Sequence, residues 1–218
     1  MPLPSKKTRG VKTDLFDKRK HYSGKVIPHS SSPFALFKRW FTLASKIVAA
    51  EPNAMALSTV NQRHQPSSRF VLLKSFDDQG FVFFTNSISR KGSDLCSNPH
   101  AAALFYWHEL HRQVRIEGRI VPIPRAEVER YFYSRPRDSQ IAAMISTQSH
   151  HLSSRKELLD AFRTAQKRQQ DPVCPESWTG YRLIPTRFEF WSGMPNRMHD
   201  RVEYTKRGKL WRTKRLWP

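Results

Sequence analysis

The feature that most constrains this chain is a series of short runs with strand character, each closed by turn-forming residues. Residues 55–60, 69–74, 80–85, 102–107 and 113–121 are rich in Val, Ile, Thr and aromatic side chains, which suit a pleated, half-buried surface. They are parted by segments holding Asn61-Gln62-Arg63-His64, Asp77-Asp78-Gln79-Gly80 and Asn98-Pro99, residues that favour turns. Strands at this spacing predict an antiparallel barrel or sandwich rather than a doubly wound parallel sheet. The longest apolar stretch, 101–107, is seven residues, far short of the roughly 20 that span a bilayer.

Helices surround these runs. Ser32-Pro33 followed by Phe37, Trp40, Phe41, Ala44 and Val48 combines an N-cap, a first-turn proline and an apolar stripe at helical spacing. That helix is expected to end near Ala50, before Pro52. Further helices are predicted at 125–135, at 138–145 after the break at Pro136, and at 155–169 behind the capping box Ser154-x-x-Glu157. Strands return at 181–184, 187–191, 199–204 and 210–215. The fold class expected is therefore mainly β with packed helices. Residues 33–218 are expected to form one domain, and 1–32, without apolar periodicity, are expected to be a mobile basic arm.

Charge narrows the partners. The formal net charge is +20, with most of the excess in residues 1–40 and 201–218. Such a balance attracts phosphate, whether on nucleic acid, on a membrane surface or on a small ligand. The two cysteines, Cys96 and Cys174, have neither metal-ligand spacing nor disulfide density. The N-terminal basic residues lack an apolar segment behind them, so the expectation is a cytoplasmic protein. No glycine-rich phosphate loop, zinc spacing or nucleophile elbow occurs, and no metal is expected.

Three groupings remain as candidate chemistry. In Arg197-Met198-His199-Asp200-Arg201, strand alternation would put Arg197, His199 and Arg201 on one face. That face suits an anion, and equally fits the solvent side of an edge strand. Tyr131 and Arg135 share a helix face, and Ser139 falls in the first turn of the next helix, which makes a small phosphate pocket or an ordinary capped amphipathic helix. Arg69 and Lys74, next to Phe84 and Thr85 with Ser89-Arg90-Lys91 downstream, could grip a second phosphate, Ser89 capping a helix that runs through Leu95, although a Lys ending an apolar strand is usually a snorkelling surface group. Alternation sets Arg69 and Lys74 on opposite faces, so a ligand touching both needs a twist, a bulge or an approach at the strand end.

These groupings sit in a longer series of motifs: Glu51-Pro52-Asn53-Ala54-Met55, RFVLLK at 69–74, Phe83-Phe84-Thr85-Asn86, Arg112-Gln113-Val114, Ser134-Arg135-Pro136-Arg137-Asp138-Ser139-Gln140, Gln148-Ser149, Trp178-x-Gly180-Tyr181, Glu189-Phe190-Trp191 and Arg215-Leu216. In order and spacing, from about residue 34 to the C-terminus, the sequence resembles the pyridoxine/pyridoxamine 5′-phosphate oxidase family. The resemblance implies an FMN-binding split β-barrel that works as a homodimer with FMN between subunits. It implies oxidation of phosphorylated B6 vitamers to pyridoxal 5′-phosphate with O2 as acceptor, with no membrane or nucleic-acid partner. By the same resemblance FMN is held by Arg69, Phe70, Val71, Leu72, Leu73, Lys74, Phe84, Thr85, Arg90, Lys91, Gln113, Gln148, Ser149, Trp191 and Arg201. The substrate is held by Lys74, Tyr131, Arg135, Ser139, Arg197 and His199, with Arg197 and His199 catalytic and Arg19 and Tyr22 folding over it. Phe84 stands where the family usually has Tyr, His64 where a turn Gly is common, and Trp217 where a small residue is typical.

Overall fold

The computed structural model describes residues 22–168 and 170–218. Helix α1 (Pro33–Ile47) is capped by the Ser32 side chain, which accepts from the Ala35 N–H, and has proline in its first turn. It stops short of Ala50 because Val48 already has extended backbone (φ −78°, ψ 116°). Strands β1 (Ala54–Val60), β2 (Pro66–Leu72), β3 (Ser75–Asp77) and β4 (Gly80–Asn86) follow, then helix α2 (Arg90–Ser97). Strands β5 (His100–Trp107) and β6 (Arg112–Pro122) lead to helices α3 (Arg125–Tyr133), α4 (Arg137–Ile145) and α5 (Arg155–Lys167). The chain closes with β7 (Trp178–Ser192), β8 (Asp200–Arg207) and β9 (Leu210–Leu216).

The strands form one antiparallel sheet in the order β2-β1-β5-β6-β7-β4-β3, with β8 on β7 and β9 on β8. The predicted antiparallel, mainly β architecture is the one observed. Two expected strands, 181–184 and 187–191, are one 15-residue strand, β7. Pro185 does not interrupt it because the register with β6 shifts between Glu117 and Gly118, a bulge that absorbs the lost ladder bond. At this point a Cβ on Gly118 would lie 2.1 Å from the Ile184 carbonyl oxygen, so only glycine allows the approach. The long strand serves two partners: its first half pairs with β4 and its second with β8.

Alternation along these strands sorts the side chains. Val114, Ile116, Phe188, Phe190, Val202 and Tyr204 point into the core, while Arg115, Glu117, Arg187, Glu189, Arg201 and Glu203 form a ladder of ion pairs on the other face. Helix α1 lays Phe34, Phe37 and Trp40 on the inner face. Phe37 meets Phe76 and Phe81 edge-on, with centroids 4.9 Å away in each case, a favoured aromatic geometry. A smaller cluster of Val82, Ile123, Val128, Phe132 and Cys174 seats α3.

Residues 22–32, expected within the mobile arm, are fastened to the body. The Gly24 N–H donates to Gly193 O (2.9 Å), Ile27 N–H to Asp200 Oδ2 (2.6 Å), and Tyr204 OH to Ser30 O (3.0 Å). Their bonds go to isolated partners rather than to a ladder, so no period marks them in the sequence. The rest of the proposed arm, including Arg19, lies outside the described residues.

Candidate active site

Where β2 ends, the chain turns out of register: Leu73 N–H donates to Asn53 O and Lys74 N–H to Val82 O. This carries Lys74 across to β4 and resolves the alternation conflict, since Arg69 and Lys74 now line the same cleft. That cleft, about 780 Å³, runs along β2, from which Arg69, Phe70, Val71 and Leu72 line it. Phe84 and Thr85 of β4, Arg90 and Lys91 at the start of α2, and Gln148 and Ser149 beyond α4 form a second wall. Tyr131 of α3, Arg135, Ser139 of α4 and Trp178 close it. Leu73 does not reach the cleft; its side chain is buried in the core.

Each half of the cleft presents cationic side chains. In the first, Lys91 is buried, and its Nζ donates to Thr85 Oγ1 (2.9 Å), Ser89 Oγ (3.1 Å) and Gln148 Oε1 (2.7 Å). All three acceptors are neutral. Burial first, and the Arg69 charge second, push the ammonium down to about 8. Arg69 is likewise lowered chiefly by burial, with Asp94 opposing. In the second half, the Arg135 guanidinium lies 4.4 Å from the Trp178 ring centroid, a cation–π contact. Its Nη1 is buried without a partner among the described residues, as is Trp178 Nε1, and burial lowers the Arg135 pKa. Pro136 is the N-cap of α4 with no side-chain cap bond, so the Ser139 hydroxyl is not used as a cap. Phe84 stacks on Tyr131 at 4.0 Å, and Lys74 Nζ lies 5.8 Å from that ring's centroid. A buried lysine without a carboxylate and a buried guanidinium N–H without an acceptor are groups that a phosphate would satisfy.

The remaining predicted residues gather elsewhere. Gln113, Trp191 and Arg201 share one rung across β6, β7 and β8. Arg201 Nε donates to Glu189 Oε1 (2.9 Å), its Nη2 lies 2.8 Å from the same oxygen as an ion pair, and its Nη1 donates to Trp217 O. Arg197 is exposed in the 3-10 turn Pro195–Arg197 with φ 61°. The expected single extended face from Arg197 to Arg201 is therefore absent, because β8 begins only at Asp200. His199 Nδ1 accepts from Met194 N–H (3.1 Å), which leaves the proton of the neutral ring on Nε2. Burial, and then the Arg197 charge, lower its pKa. Tyr22 meets His111, Trp191 and His199 edge-on, at 5.1, 5.7 and 5.3 Å between centroids. Trp178, Ser67 and Ser68 of the cleft were not assigned from sequence. Trp178 belongs to a recognised motif, but its contact with Arg135 joins positions far apart in the chain and leaves no local signal.

Residues 43–169 match the family described as pyridoxamine 5′-phosphate oxidase, and 178–218 match its C-terminal dimerisation region. A pyridoxine/pyridoxamine 5′-phosphate oxidase of Bordetella pertussis is 51% identical over 191 residues, covering 87% of this chain and 90% of that protein. The chloroplastic enzyme of Arabidopsis thaliana is 49% identical, and this chain spans only 37% of its length. Among solved structures, PhzG of Burkholderia lata, in complex with tetrahydrophenazine-1-carboxylic acid, superposes with a TM-score of 0.83 at 34% identity, covering 87% of this chain and 94% of that one. An FMN-binding protein of Nostoc punctiforme shares the fold at TM-score 0.70 and 15% identity. Fold and site together define a split-barrel flavin oxidoreductase with FMN as cofactor. Within that class, the chain belongs to the pyridoxine/pyridoxamine 5′-phosphate oxidase family.

Proposed function

We propose that this protein oxidises pyridoxine 5′-phosphate or pyridoxamine 5′-phosphate to pyridoxal 5′-phosphate. The observation that carries the reading is the presence of two separate phosphate-seeking groups in one cleft, Arg69/Arg90/Lys91 and Arg135/Ser139, which matches a phosphorylated cofactor and a phosphorylated substrate. When bound, FMN would supply a hydride acceptor that O2 can reoxidise to give H2O2; turnover of the amine substrate would also consume water and release ammonia.

The protein's own contribution is placement. Arg69, Arg90 and Lys91 hold the cofactor phosphate, with Gln148 and Thr85 orienting the lysine. Arg135, Ser139 and Tyr131 anchor the substrate phosphate, with Lys74 beside them. Trp178 supports the Arg135 plane and restricts water. Fixing the substrate against the cofactor in this way supplies proximity rather than a strong acid or base.

Arg197, His199, Gln113, Trp191 and Arg201 act from a second copy. Trp178 lines the cleft near one end of β7, whereas Trp191 lies thirteen residues along it, roughly 40 Å of extended strand. A homodimer would bring the far rung of one protomer to the cleft of its partner, and the match of residues 178–218 to a C-terminal dimerisation region supports such a dimer. In that composite site Arg197 and His199, carried on the segment just before β8, contact the substrate ring.

The test is to load the purified protein with FMN and supply pyridoxine 5′-phosphate under air. The expected result is a yellow protein that forms pyridoxal 5′-phosphate and H2O2. A protein that takes up no FMN, or takes it up and leaves the substrate unchanged, overturns the reading.

A further inference from the structure

Behind the cationic half of the cleft lies a carboxylate that the proposed reaction does not use. Asp94 is buried on α2, the helix whose first residues, Arg90 and Lys91, line the cleft. Its Oδ2 accepts from Thr59 Oγ1 (2.6 Å) and Ser67 Oγ (3.2 Å) and stands 3.9 Å from Arg69 Nη2. The same two hydroxyls accept from Arg69: Thr59 from Nη1 at 2.7 Å, and Ser67 from Nη2. Leu57 O takes a further Nη1 bond at 3.1 Å.

The register explains the meeting. Thr59 and Ser67 face each other across β1 and β2, and Arg69, two residues beyond Ser67, projects from the same face. A hydroxyl has one hydrogen to donate. Because both hydrogens go to Asp94, both sets of lone pairs are turned toward Arg69. The guanidinium is thereby held on three of its five N–H groups, and the other two have no protein acceptor among the described residues. Arg69 itself lines the cleft.

We propose that Asp94 is a positioning residue for the cofactor phosphate: its Oδ2 orders Thr59 and Ser67, which aim the free N–H edge of Arg69 into the cleft. The inference rests on the cleft being the FMN site. It assigns Asp94 the role of an acceptor acting through two hydroxyls, not that of a group touching the ligand.

The experiment compares the Kd of FMN with that of riboflavin, which lacks the phosphate, by flavin fluorescence titration of the full-length chain. Asp94→Ala is expected to weaken FMN roughly tenfold, the scale of a disturbed charge-assisted hydrogen bond, and to leave riboflavin within about twofold. Thr59→Val, nearly isosteric and removing the bridging hydroxyl, is expected to give the same FMN-selective loss, and it carries the test if Asp94→Ala does not fold. Asp94→Asn retains an oxygen acceptor and is expected to stay within about threefold of the unaltered chain. Equal losses of FMN and riboflavin, no loss of either, or Asn behaving like Ala would overturn the role of Asp94. An unaltered chain that binds no FMN would instead sink the functional reading itself.

Discussion

The affinity for FMN should depend on pH through Lys91, in a direction set by the burial of its ammonium. In the ligand-free chain the ammonium is held at about 8 by burial and by Arg69, against an ordinary value of 10.5. A bound phosphate, doubly charged above its second pKa near 6, favours the protonated lysine and restores its pKa toward the ordinary value. At pH 7 the free chain is already mostly protonated, and binding costs no proton. At pH 9 the free chain has largely lost that proton and must regain it, so the FMN Kd should rise about tenfold from pH 7 to pH 9. Riboflavin should show no such rise. Lys91→Met should bind FMN about tenfold or more weakly at pH 7 and lose the pH step. The same shift acts on stability with a definite sign. The folded pKa lies below the unfolded one, so between about 8 and 10.5 the unfolded chain binds more protons, and the ligand-free protein gains stability as pH rises through that window. Fluorescence titration across pH, with parallel denaturant melts, reads both. A flat FMN Kd, or an identical pH step in Lys91→Met, would refute the reasoning.

Other substitutions test other links. Arg197→Leu should cut turnover strongly while FMN stays bound, as read by steady-state rates beside flavin content. If the site is shared between protomers, mixing chains inactivated by Arg135→Leu with chains inactivated by Arg197→Leu should restore about a quarter of full activity after exchange, because half of random dimers carry one intact site of two; no restoration would place both arginines in one protomer's site. Phe37 is fully buried among aromatic rings and Phe70 is 77% exposed at the cleft. Phe37→Ala should therefore cost about 3–5 kcal/mol in a urea melt, and Phe70→Ala less than about 0.5 kcal/mol.

How much of this could be read in advance varied with how local the signal was. Helix α1 was readable because Ser32, Pro33 and the stripe through Phe37, Trp40 and Ala44 encode cap and face within one window. The short strands were readable from alternation and turn residues, but Pro185 split β7 into two expected strands, since a bulge against Gly118 is a property of the pair and not of either strand. The segment 22–32 carried no pattern because single bonds to Gly193, Asp200 and Tyr204 hold it. Of the site, the motif residues 69–74, Arg90, Lys91, Arg135 and Ser139 were identifiable, and all but Leu73 line the cleft. The sequence did not disclose that Arg201 is engaged by buried Glu189, that Trp178 backs Arg135, or that Asp94 stands behind Arg69. Each of these is a contact between elements remote in the chain.

The central claim is that one cleft holds a phosphorylated flavin and a phosphorylated substrate in reacting contact, and anaerobic titration of the FMN-loaded protein tests it most directly. The account predicts that one equivalent of pyridoxine 5′-phosphate bleaches one equivalent of bound FMN and yields one of pyridoxal 5′-phosphate, whereas unphosphorylated pyridoxine at the same concentration bleaches little. Flavin that stays oxidised with the phosphorylated substrate, or is reduced equally well by pyridoxine, would contradict it.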